Sequence, residues 1–205
     1  MMFLNRSVAN FILLGLVIAL CSCQARVFRG LMVEDCEGME LSVGLLDFDE
    51  KQEAHYRAKI EAFDQTISGQ LIIKNLDSNY RAVIITDFGL TIMDLTLETD
   101  GDFKFNHIMK HMDYQFVRQS MALNVLMLLP QDFSAKNNCY SDSDLLLVHA
   151  PLIHSIYYIK KGNLEKVERY RGKNKLWCSA EKVGEDGIQL VQKNPHIAIR
   201  LKTIE

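Results

Sequence analysis

From His55 the chain alternates. Tyr56, Ala58, Ile60 and Ala62 are apolar, and His55, Arg57, Lys59 and Glu61 between them are polar. A period of two predicts a strand with one buried and one wet face. Ile67 to Lys74 continues the pattern, with Ile67, Leu71 and Ile73 on one parity. Asp77-Ser78-Asn79 is a turn cluster, and Tyr80 to Thr86 reads as a strand apolar on both faces in its middle. Asp87-Phe88-Gly89 turns the chain, Leu90 to Leu97 returns, and Asp100-Gly101-Asp102 precedes a short strand carrying Phe103 and Phe105. Short strands with tight turns predict an antiparallel meander.

The period then changes. Between Met109 and Leu129 apolar residues recur at helical spacing: Met112, Phe116, Leu123 and Met127, with Val117, Met121, Val125 and Leu128 alongside. His111, Gln115, Arg118 and Gln119 fall opposite, Asp113 is placed to cap the start and Pro130 to stop the end. This predicts an amphipathic helix over residues 113–129 with its apolar face on a core. Residues 130–144 read as a long polar loop. Six strand candidates follow: Leu145–His149, Ile153–Lys160, Leu164–Arg171, Lys175–Val183, Ile188–Lys193 and His196–Ile204, with hairpin signals at Gly162-Asn163 and Glu185-Asp186-Gly187. About eleven strands and one helix predict a mainly β (α+β) domain, a curved antiparallel sheet or unclosed β-barrel with the helix covering it.

The first residues follow neither period. Arg6 precedes an apolar run from about Val8 to Leu20, broken by Asn10, and small residues lead to a cysteine. That is the layout of a secretory signal, and the run is shorter than the roughly 20 residues that span a bilayer. Leu20-Cys21-Ser22-Cys23 resembles a bacterial lipobox. The resemblance implies cleavage after residue 22 and acylation of Cys23; bulky Leu20 makes Cys21 the poorer fit. Gln24, Ala25 and Arg26 follow, with no aspartate and no acidic cluster. By resemblance to lipoprotein sorting rules, this implies the outer membrane and its periplasmic face. The expected organisation is a signal over 1–22, a lipidated tether over 23–54, and a β domain over 55–205.

Composition adds limits. With 48% hydrophobic and 24% charged residues the chain is globular in kind, and 11 glycines and 3 prolines are too few for a fibrous or long linker protein. A formal charge of -3, without basic excess, argues against nucleic acid as partner. Of 5 cysteines, processing leaves Cys36, Cys139 and Cys178 as thiols. Any two could pair in an oxidising compartment, and free thiols are the plainer expectation. No cysteine spacing suggests a zinc site.

A lipidated cysteine, a meander, one apolar helix and a second antiparallel run together resemble the Lol family of lipoprotein carriers and receptors. The stretches Ser68-Gly69-Gln70-Leu71-Ile72-Ile73-Lys74 and Tyr80-Arg81-Ala82-Val83 also resemble lipoproteins of Bacteroidota. The resemblance covers residues 55–204. It implies an unclosed half-barrel with a cavity for acyl chains, a membrane anchor, and an acyl-bearing or lipoprotein ligand. Met112, Phe116, Leu123 and Met127 would then touch the ligand, and Phe88 would stand for the apolar residue of a receptor loop. Tyr157, Tyr158, Tyr170 and Trp177 are further lining candidates. The other expectation is an accessory lipoprotein of an envelope protein complex.

Catalytic patterns are missing. His107 and His111 have zinc-helix spacing, but Ile108 stands where a metalloprotease needs glutamate. Asp87-Phe88-Gly89 spells a kinase motif without its companions. Ser141-Asp142-Ser143-Asp144 lacks the glycine and glutamate of a calcium loop. No G-x-S-x-G is present. The sequence implies neither enzyme, metal nor cofactor.

Overall fold

The structure is a computed structural model. It describes residues 32–34, 41–46, 48, 52–98, 102–133, 138–142, 145–150, 154–172 and 175–204. The signal stretch, Cys23 and Cys36 lie outside the described residues. The described residues from Val33 onward belong to one compact unit.

The predicted meander is present as β3 (Glu53–Ala62), β4 (Gln65–Asn75), β5 (Asn79–Thr86), β6 (Thr91–Glu98) and β7 (Phe103–Ile108). The second run is β10 (Leu145–Ala150), β11 (Ser155–Lys160), β12 (Asn163–Arg171), β13 (Lys175–Val183), β14 (Gly187–Lys193) and β15 (His196–Thr203). Four short strands go beyond the eleven expected: β1 (Met32–Glu34), β2 (Leu41–Val43), β8 (Gln131–Phe133) and β9 (Asn138–Asp142). The expected polar loop over 130–144 therefore contains two strands. Their partners β2 and β10 supply the ladder that their own polar sequences do not announce.

Thirteen of the described strands make one sheet, in the order β1-β9-β10-β11-β12-β13-β14-β15-β3-β4-β5-β6-β7, and β2 pairs with β8 apart from it. The C-terminal strand joins the two runs, with Ile199 opposite Ile60 and Leu201 opposite Ala58. Apolar rows match across that seam, and a slip of one residue would turn them to solvent. Leu95 on β6 and Val148 on β10 belong to the same core although eight strands separate theirs. The sheet must therefore curl around that core. Its ends do not pair with each other, so the barrel is unclosed.

The one α-helix among the described residues, α1 (Gln115–Leu126), follows a 3-10 turn at Lys110–Met112. Tyr114 is its N-cap and makes no side-chain cap bond. Asp113 does not cap as expected; its carboxylate accepts from Arg118 Nε. Val117, Met121 and Val125 are the buried face, and they join Met127, Leu128 and Leu129 in the core of the sheet. The expected stripe is shifted: Phe116, in the first turn of the helix, is 49% exposed, although Ser120 and Asn124, which follow it at four-residue steps, are buried. Val43, Leu45 and Leu46 are core residues too, and Leu46 N–H donates to Leu128 O. The packed domain thus begins before His55, where the sequence reads as a tether.

Candidate functional site

Inward positions of the strands beneath α1 break their apolar parity in one place. Along β14 the inward residues are Ile188, Leu190 and Gln192, and Gln192 is fully buried. Register carries that position across the sheet as a row. Ser155 lies opposite Arg169, Arg169 opposite Cys178, and Cys178 opposite Gln192. Four polar side chains thus cross the floor of a curled apolar sheet. From above, α1 lowers Ser120 and Asn124, one helical turn apart and both buried. Gln192 Nε2 donates to Ser120 Oγ at 3.3 Å and to Pro195 O at 3.2 Å. The Cys178 thiol donates to Asn124 Oδ1 at 3.5 Å.

The row is incompletely satisfied. Asn124 Nδ2 and Gln192 Oε1 are buried with no hydrogen-bond partner. Such an atom costs about 1–3 kcal/mol, so each counts against stability alone. Burial pushes the Cys178 thiol up to about 12, against a lowering from Arg169. Burial likewise pushes the Tyr157 phenol up to about 12. The Arg169 guanidinium is held below its ordinary value by burial, which Tyr157 and Cys178 only partly offset.

Beside Arg169 of this row a groove of about 380 Å³ opens along α1. Phe116, Gln119, Ser120 and Leu123 form the helix wall. Arg169, Tyr170, Arg171, Trp177, Asn194 and Pro195 form most of the strand wall. Trp177 is fixed by its Nε1–H donating to Asn194 O at 3.0 Å. The register shift between Arg169 and Tyr170 lets both of these neighbours reach the groove. Glu168, on the opposite parity, is engaged elsewhere: Tyr158 and Tyr170 hydroxyls donate to its Oε2, and Lys166 Nζ stands 2.7 Å from Oε1. Burial opposes its ionisation, but Lys166 and the two hydroxyls outweigh that and hold the carboxyl below its usual range.

The sequence-predicted residues are distributed over different places. Phe116, Leu123, Tyr170 and Trp177 meet in the groove. Met127 is core, Met112 packs partly buried against it, and Tyr157 is core as well. Phe88 stands on the turn after β5, 93% exposed and away from the groove lining. Cys139 is disulfide-bonded, whereas Cys178 is a free, buried thiol. Free thiols were the plainer expectation, and for Cys139 the structure differs. Arg169, Gln192, Ser120 and Asn124 escaped the sequence reading. The signal is a polar residue on an inward strand parity for Arg169 and Gln192 and on the buried side of the helix for Ser120 and Asn124, legible only once the inward side is known. Among the described residues no helix is long and apolar enough to cross a membrane, and no three His, Cys, Asp or Glu side chains gather as a metal set.

No protein-family profile and no curated protein matches the chain. Among solved structures it is similar to a domain described as an outer membrane lipoprotein-sorting protein from Vibrio parahaemolyticus. That match has a TM-score of 0.44 and 9% identity, and covers 77% of this chain and 86% of that one. It is also similar to a LolA superfamily protein from Nitrosomonas europaea, with a TM-score of 0.41, 8% identity, and the same 77% and 86% coverage.

Proposed function

We propose that this chain is a non-catalytic, lipid-anchored protein of the cell envelope that holds an acyl-bearing or other apolar ligand beside α1. The anchor is acylated Cys23, and the outer membrane, facing the periplasm, is the location its flanking residues favour. The reading rests on the groove, where Phe116 and Leu123 of the helix face Trp177 and Pro195 of the strands. Polar side chains, among them Gln119, Ser120, His154, Arg169 and Asn194, share the lining, and apolar contacts combined with polar groups that fix orientation are the usual make-up of a small-molecule site. Titration with an environment-sensitive apolar fluorophore tests it. Saturable binding is expected, and Leu123→Asp should abolish it while leaving the far-UV spectrum unchanged. Absence of saturation in the native protein would overturn the reading.

One observation favours the second reading, an accessory protein of an envelope complex. The β3–β4 and β5–β6 turns and the start of α1 lie at the same end of the sheet as the groove. Phe63, Phe88, Leu90, Tyr114 and Phe116 are all exposed at that end. Phe63 holds a positive φ of 52° and meets Phe116 edge-on. A bulky residue in that region is strained, which marks the turn. Photo-crosslinkers at Phe63 and Tyr114 should give one protein adduct of defined mass if a partner docks there. Leu76, exposed at the opposite end, is the control.

A further inference from the structure

The groove carries a charge that its fold does not use. Arg169 and Arg171 both line it, and none of the lining residues is Asp or Glu. Arg169 sits on the inward row between Ser155 and Cys178, half-buried, and among the described residues no carboxylate pairs with it. The nearest acid in sequence, Glu168, is on the opposite parity and already engaged by Lys166, Tyr158 and Tyr170. A guanidinium withdrawn from water without a counter-charge is costly, and structures normally pair it. Its five donors in a planar fork match a carboxylate or phosphate.

Beside this cation three apolar side chains, Phe116, Leu123 and Trp177, share the walls with polar Gln119, Ser120 and His154. A volume of about 380 Å³ is near the low end for a ligand site, which fits one chain rather than several. Cation and apolar wall lie in one groove, so an occupant complementary to both is amphiphilic, with a negative head. We infer that the groove binds a single-chain amphiphile whose anionic head, a carboxylate or a phosphate, is taken by Arg169, with its chain along Phe116, Leu123 and Trp177. This rests on the ligand-binding reading above and adds the charge of the ligand, which that reading leaves open.

Trp177 is the chain's 1 tryptophan and lines the groove, so its emission reports occupancy directly. The protein for the test is the chain without residues 1–22, which retains the compact unit 33–205. Four ligands with the same twelve-carbon chain are titrated below their micelle concentrations: dodecanoate, dodecyl phosphate, dodecyl maltoside and dodecyltrimethylammonium. Both anions should bind about tenfold or more tighter than the neutral and cationic ligands, the scale of one charge-assisted contact. Dodecanoate against dodecyl phosphate distinguishes a carboxylate from a phosphate head. Arg169→Gln should erase the preference for anions and leave dodecyl maltoside binding as it was, and Arg169→Lys should restore part of it. Equal affinity for all four heads in the native protein overturns the inference while the apolar-ligand reading stands. An anion preference that survives in Arg169→Gln overturns the assignment to Arg169. No saturable change with any of the four overturns both readings. The comparison of heads on the native protein stands even if the variants fail to fold.

Discussion

Cys178 shows what one residue's surroundings do. It is a fully buried, free thiol, between Arg169 and Gln192 on the inward row. Its folded-state pKa, pushed up to about 12, lies above that of an exposed thiol, so the fold prefers the neutral form. The unfolded chain loses this proton first. The contribution is therefore whole below about pH 8.5 and declines as pH rises toward about 12, by about 1.4 kcal/mol per pH unit. Urea unfolding at pH 8, 9, 10 and 10.5 checks this. Cys178→Ala should lose stability at pH 8 through lost burial, yet fall less steeply with pH than the native protein. Equal slopes would mean that the thiol is not the titrating group. At the other end of the chain, replacing Cys23 with Ala should remove incorporation of a fatty-acid analogue and release the protein from the membrane fraction. Persisting label would move the anchor to Cys21.

At the scale of elements, the helix and one strand pair carry unlike kinds of constraint. Val117, Met121 and Val125 hold α1 to the core, whereas Phe116 is half exposed over the groove. Met121→Ala should therefore cost about 2–5 kcal/mol in a denaturant titration. Phe116→Ala should cost only about 1 kcal/mol, since about half of its burial is there to lose, and it should weaken ligand binding instead. A core-sized loss at Phe116 would place that side chain in the core after all. Gly69 on β4 is fixed by closeness rather than by turning: a Cβ there would lie 2.0 Å from Ile85 O on β5. Gly69→Ala must push the two strands apart, and about 1–3 kcal/mol of destabilisation is expected. Unchanged stability would mean that β4 and β5 do not approach so closely.

For the molecule as a whole, the domain limit matters more than any single strand. Val43, Leu45 and Leu46 are core residues, and β2 pairs with β8 after the helix. The chain 24–205 should be more stable than 55–205 by about 5 kcal/mol, the burial of these three side chains. Urea unfolding followed by Trp177 emission measures the difference, and far-UV dichroism of 24–205 should be dominated by strand. A shorter chain of equal stability would return residues before 55 to the role of a tether.

The pattern of apolar and polar positions by itself determined the eleven long strands, the place of the helix and the mainly antiparallel architecture. Alternation such as that of Ile197, Ile199 and Leu201 is a local property, and burial of one face leaves little choice. Phe116, Leu123, Tyr170 and Trp177 were legible as apolar candidates for the same reason. Only the tertiary structure decided that Val117, Met121 and Val125 face the core, because the rotation of a helix about its axis depends on where the chain enters it. The same holds for β8 and β9, which are strands through their partners and not through their own sequences. The polar row was beyond local reading. Ser155, Arg169, Cys178 and Gln192 lie on four different strands, and only the registers between those strands put them in one line. Arg169 looks like an ordinary strand arginine until the fold supplies its depth, the lack of a paired carboxylate among the described residues and the groove beside it.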